Sequence, residues 1–287
     1  MIRKILKYSL KFLAIVIGVV SLYLANLFLM KPVSIDQYLG KELILGLIDS
    51  PEALTYIGIF DKYNWITKHN SRLSIPKEDD LENDIKEIEK AIKTLYKYKD
   101  SRLSDIQRNT KEIAIFDWEN NLKELKEYPY HDYPLNQIGG THLNTIEFMN
   151  SMHPVRKYSE AKDFISRVDL IKDVYEGTLK DLEKQAATGI FPPEFVFDHV
   201  ITQLNEFINY SYSEHPLYTE FIKKVKELDL SVEEESYLDS EIKRAIDESV
   251  TPGFMLLNEF MLKTQKYANK NHGIWSQPDG DEYYKLR

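Results

Sequence analysis

Seven histidines, His69, His131, His142, His153, His199, His215 and His272, stand among 46 acidic residues, enough donors to raise the question of a metal site. A helix that holds zinc needs two imidazoles on one face, which the four-residue spacing of H-E-x-x-H provides. No two of these histidines are three or four residues apart. His131, His142 and His153 recur at a fixed interval, but Pro134 and the Gly139-Gly140 pair interrupt it, so no continuous helix aligns them. Asp198 and His199 are neighbours on a predicted helix and project in different directions. The chain has no Cys, which excludes disulfides, thiolate zinc sites, iron–sulfur clusters and cysteine nucleophiles. The G-x-S-x-G elbow, the P-loop and G-x-G-x-x-G are also missing. Acidic runs such as Glu233-Glu234-Glu235 read as solvated helix faces. No catalytic residue, metal ligand or cofactor is therefore expected in this chain.

The elements that would position any site begin with a membrane segment. Phe12–Met30 is uncharged throughout and, as a helix, measures about 28 Å, against roughly 30 Å of hydrocarbon. A cleaved signal peptide usually has a shorter apolar region and a small-x-small site, whereas Tyr23 stands two before Ala25. The expectation is an uncleaved signal anchor. Arg3, Lys4, Lys7 and Lys11 precede the span and only Lys31 follows it. That bias predicts one pass through the inner membrane, a cytoplasmic N-terminus and a body in the periplasm or outside the cell. The net charge of −9 is carried entirely by the body beyond the anchor, since residues 1–31 hold no acid. An acidic body repels phosphate backbones, so no nucleic-acid partner is expected.

Beyond Pro32 the periodicity is helical. Leu81, Ile85, Ile88, Ile92 and Leu95 form one stripe, with Asp79 and Asp80 at its start. A second helix follows, with Leu103, Ile106, Ile113, Leu122 and Leu125 expected inside. Ser231 with Glu234 predicts a capping box, and Gly189 the C′ position of a helix over 170–187. Pro192-Pro193 and Thr251-Pro252 read as helix starts, with Thr251 as N-cap. No alternating strands are found. The predicted class is all-α, divided into an anchor at 1–31 and a helical domain at 32–287. The long interruption YPYHDYPLNQIGGTH at 128–142 is either a functional loop or a packed connector.

Three segments resemble the bacterial domain of unknown function 885 proteins. They are Tyr133-Pro134-Leu135-Asn136-Gln137 with Gly139, Gly140 and His142; Gly189-Ile190-Phe191-Pro192-Pro193; and Gly273-Ile274-Trp275 with Pro278-Asp279-Gly280, Glu282, Tyr283 and Tyr284. The resemblance implies a helical metallopeptidase-like fold of the gluzincin kind, about twice this length, with its H-E-x-x-H zinc site downstream of the last segment. It carries the fold of the N-terminal half onto this chain, but no zinc ligand and no catalytic glutamate. On this basis the chain is expected to be a truncated or split member, inactive alone, with a separately encoded C-terminal half as a partner. The alternative is a non-catalytic extracytoplasmic module that binds peptides or proteins. Tyr133, Asn136, His142, Trp275, Asp279 and Tyr283 are the residues expected to face a substrate or partner. The aromatics Tyr128, Tyr130 and His131 are expected to lie uncovered beside them.

Overall fold

The computed structural model describes the backbone from residue 2 to 287 and the side chains from residue 7. The Arg3 and Lys4 side chains, part of the charge bias above, lie outside the described residues. The chain is all-α. Among the described residues the one extended pairing is an isolated bridge between Pro193 and Asn269.

In chain order the helices are α1 (Ile2–Leu29), α2 (Ile35–Asp49), α3 (Pro51–Ile57), α4 (Asn64–Thr67), α5 (Asp80–Leu95), α6 (Asp105–Glu127) and α7 (Thr141–Ser151). After them come α8 (Tyr158–Val168), α9 (Ile171–Ala187), α10 (Glu194–Asn209), α11 (Pro216–Val225), α12 (Val232–Ala245), α13 (Thr251–Thr264) and α14 (Gly280–Leu286). The residues fall into two compact units.

The first unit runs to Leu47 and resumes from Ile85 to Leu122. It contains α1, whose stretch from Lys7 to Leu29 is long and apolar enough to cross a membrane and has no buried residue. The chain is fastened directly after this helix. The Tyr98 hydroxyl donates to the Pro32 carbonyl at 2.7 Å, and the Lys31 ammonium lies 3.9 Å from the centre of the Tyr98 ring. A small core of Ile35, Tyr38, Leu95 and Tyr98 packs with Leu103, Ala114, Ile115 and Trp118. The expected inner face of α6 is wrong in two places. Ile106 and Ile113 are 80% and 69% exposed, and Lys111 takes the buried position instead. Its ammonium donates to Tyr98 O at 2.8 Å and to Asp100 Oδ1 at 2.7 Å, which supplies the partners a buried charge requires.

The second unit, Ile48–Asp84 with Lys123–Arg287, holds the large core. α13 lies against α9 and α10. Phe254 stacks on Phe207 at 4.6 Å and meets Tyr175 edge-on at 5.2 Å. The capping box at Ser231 and Glu234 forms as expected, and Gly189 has φ +79°, the left-handed region where a Cβ is disfavoured. Thr251-Pro252 does not open a separate helix. α12 runs through a π turn at Ile246–Val250 directly into α13, with the Thr251 N–H donating to Ile246 O. Proline has no N–H, and its ring presses on the carbonyl one turn back; the widened turn relieves both defects. Pro192-Pro193 does precede a helix start, since α10 begins at Glu194 with Pro193 at the N-cap.

Candidate functional site

The 128–140 connector is fixed from two sides within the second unit. Gln185 of α9 donates through Nε2 to the carbonyls of Tyr130 and Asp132, each at 2.7 Å. From the terminal segment, Gln277 Nε2 donates to the Tyr133 hydroxyl at 2.6 Å, and the Tyr283 hydroxyl donates to Asp132 Oδ1 at 2.8 Å. His131 Nε2 donates to Pro278 O at 2.8 Å. The rings of Tyr128, His131 and Tyr283 pack together, with centroids 4.8–5.4 Å apart.

These contacts correct the expectation of an uncovered aromatic face. Tyr128 and His131 are each 8% exposed and Tyr283 is 1% exposed, because the rings cover one another. Tyr133 and Asn136 are half-buried. Asn136 Oδ1 accepts from the N–H groups of Ile138 and Gly139 and so shapes the turn before α7. His142 is fully buried, bonded through Nε2 to Gln203 Oε1 at 3.0 Å. Trp275 and Asp279 are exposed. The structure therefore brings Tyr133 and Tyr283 to the same loop and leaves His142 in the core.

Gly280 holds the terminal segment in place. A Cβ there would overlap Ile274 O, a backbone atom that cannot rotate away. Gly280→Ala is expected to lower stability by about 1–3 kcal/mol, the usual range for overpacking. The same change should make residues 270–287 the first site of tryptic cleavage. Equal cleavage rates in variant and parent would refute this.

Two clefts meet beside the connector. One, of about 360 Å³, is lined mainly by apolar groups from Leu73, Pro134, Phe148 and Val174, with Glu52, Asn144 and Asp181 at its polar edge. The other, of about 300 Å³, is lined by Asp80, Asp84, Asp132 and Asp181 together with Lys77, Lys184, Tyr130 and Tyr133. Pro134 and Asp181 line both. Burial pushes the Asp181 carboxyl up, opposed by the Lys184 ammonium. Asp84 is also pushed up by burial, with the charge of Asp80 adding to it. The pair of clefts suits a ligand with an apolar part and a cationic part. Sequence reading missed Asp84 and Asp181, which nothing in their spacing marks. It also passed over three S-x-x-K spacings: Ser74–Lys77 lies on non-helical chain, Ser159–Lys162 lies on an exposed face of α8, and on α12 Ser240 donates to Tyr237 O while Lys243 pairs with Asp239.

Four of the histidines have protein partners. His69 contacts Thr67 and Asp61, His131 contacts Pro278, His142 contacts Gln203, and His153 lies between Glu160 O and Arg167. Among the described residues no three His, Asp or Glu side chains converge on a common point.

A family model described as "Bacterial protein of unknown function (DUF885)" matches residues 51–287. The crystal structure of "the putative lipoprotein from Colwellia psychrerythraea" is similar in fold, with a TM-score of 0.72 at 18% identity. The match covers 83% of this chain and 43% of that one, so this chain spans about half the length of that neighbour. A search of curated proteins finds no match.

Proposed function

Because the chain belongs to the bacterial family of unknown function DUF885 across residues 51–287, we propose that it is the membrane-anchored helical part of a metallopeptidase-like protein. In this reading α1 crosses the inner membrane once with its N-terminus in the cytoplasm, and the body acts outside. The charge bias of Lys7 and Lys11 against Lys31 supports that topology. The body supplies binding surface for peptide, and the zinc and catalytic glutamate belong to a second polypeptide or a further segment. The observation that carries the reading is the joined apolar and acidic clefts, on a body in which, among the described residues, no three His, Asp or Glu side chains converge on a common point. Such a surface suits a peptide with apolar and basic side chains.

The purified full chain is expected to hold no stoichiometric zinc and to hydrolyse no peptide by itself. Elemental analysis and a mixed-peptide assay test this, with and without the product of the next reading frame. About one tightly bound zinc per chain, or hydrolysis by the chain alone, would sink the proposal.

A second reading, a non-catalytic binding module, draws support from the Tyr128–His131–Tyr283 cluster, whose rings cover one another, while Trp275 beside it stays exposed. Peptide binding with no gain of hydrolysis when the downstream product is added would favour it.

A further inference from the structure

The most exposed apolar stretch outside α1 lies in the second unit, at Tyr56–Ile66. Tyr56, Ile59, Tyr63, Trp65 and Ile66 are 70%, 65%, 54%, 76% and 61% exposed. Looseness does not account for this, because the backbone on either side is held from beneath. Leu54 is buried, and the Arg167 guanidinium donates to Pro51 O, Thr55 Oγ1, His69 O and Arg72 O. Asn64 Nδ2 donates to Asp163 at 2.9 Å, and Arg156 pairs with Asp61 at 2.7 Å. The fold thus builds a firm platform and turns its tyrosine, tryptophan and isoleucine side chains outward.

Charge and connectivity indicate what meets it. The chain is acidic overall, yet Lys62, Lys68 and Arg72 are exposed along this stretch, and its one acid, Asp61, is taken by Arg156. Trp and Tyr with flanking Lys is the composition of a membrane interface, where amphipathic rings sit at headgroup level and cations meet anionic lipid. Only residues 30–55 separate the platform from the apolar helix α1, so a bilayer crossed by α1 is present at high effective concentration. We propose that Tyr56–Ile66 docks onto the anionic phospholipid surface of the same membrane that α1 spans, as a second, interfacial contact. This rests on the reading of α1 as a membrane span, but not on any peptidase role.

The absence of cysteine allows a direct test. Single variants Ile59→Cys, Trp65→Cys, Trp275→Cys and Val16→Cys of the full chain are labelled with an environment-sensitive fluorophore. Each is reconstituted into phosphatidylcholine vesicles containing phosphatidylglycerol. Labels at 59 and 65 should be quenched by headgroup-level nitroxide lipid and protected from aqueous iodide; the label at 275 should behave in the opposite way. Lys62→Glu/Lys68→Glu should restore iodide quenching at 65, and so should omission of phosphatidylglycerol. A lipid-buried label at 16 with water-exposed labels at 59 and 65 overturns the docking alone. A water-exposed label at 16 overturns the anchor reading. Protection at 65 that depends on protein concentration, or that appears only with the downstream product, assigns the platform to a protein partner and likewise overturns lipid docking.

Discussion

Stability should fall steeply as pH drops from about 6.5 towards 4, beginning well above the range in which ordinary carboxylates titrate. His69, His142, His153 and His215 are buried, and burial pushes all four below the ordinary value of 6.5. His215 is pushed down to about 4, and neither of its ring nitrogens has a hydrogen-bond partner. Each folded-state value lies below the unfolded one, so the stabilisation is complete above 6.5. Below that the unfolded chain binds protons that the folded chain refuses, and each histidine costs about 1.4 kcal/mol per pH unit until its own folded value is reached. For His215 the loss amounts to about 3 kcal/mol by pH 4. Asp84, Asp163 and Asp181 are shifted upward, which opposes the trend, but carboxylates titrate near the bottom of this window. Urea unfolding at several pH values between 7.5 and 4.5 measures the slope. His215→Phe should flatten it, and a stability that stays level from 7 to 5 would contradict the account.

Arg167 should be the most costly single side chain to remove. It is fully buried, touches no carboxylate, and spends its donors on Arg72 O, His153 Nδ1, Pro51 O, Thr55 Oγ1 and His69 O at 2.7–3.3 Å. Burial lowers it to about 10, so it remains charged at neutral pH. The Phe148 ring lies 4.9 Å away and adds a cation–π contact. Arg167→Met leaves several buried acceptors without donors and should destabilise the protein by about 3–5 kcal/mol. Arg167→Lys keeps the charge but not the planar fork, so it should recover only part of the loss. Hydrogen exchange should show residues 51–72 opening first in either variant. A loss below about 1 kcal/mol for Arg167→Met would mean that those carbonyls find water instead.

These two features also mark where sequence reading stops. The Leu81–Leu95 stripe, the Ser231 cap and the left-handed Gly189 are local properties, set by helical period, one side-chain bond and one dihedral angle, so their residues announce them. The inner face of α6 is not local. Two apolar stripes compete on that helix, and only tertiary packing selects the one with Ala114, Ile115 and Trp118, with Lys111 between acceptors brought by Tyr98 and Asp100. The candidate site divides in the same way. The interruption at 128–142 is visible from its prolines and glycines, but the burial of His142 and Tyr283 depends on Gln203, Asp132 and Tyr128, far away in sequence. Asp181 and Arg167 look like ordinary helix charges because nothing beside them in the chain reveals their surroundings. The exposed run at Tyr56–Ile66 carries enough Tyr, Trp and Ile to pack inside, and only the fold turns it outward.

The π turn between α12 and α13 sets the phase of the longest continuous helix in the second unit. Its buried line runs through Leu238, Ile242, Ile246, Val250, Phe254, Leu257, Met261 and Thr264. At about 100° per residue, an uninterrupted α-helix would leave Thr264 about 80° round from Leu238. One residue fewer would bring the two within about 20°. The chain therefore carries one residue more than the line requires, and the turn at Ile246–Val250 stores it. This is the position at which a one-residue deletion is absorbed without shifting the frame of α13. Loss of Asp247 or Glu248 together with Pro252→Ala leaves both halves facing the core, whereas the same deletion elsewhere in the helix swings one half about 100° away from it.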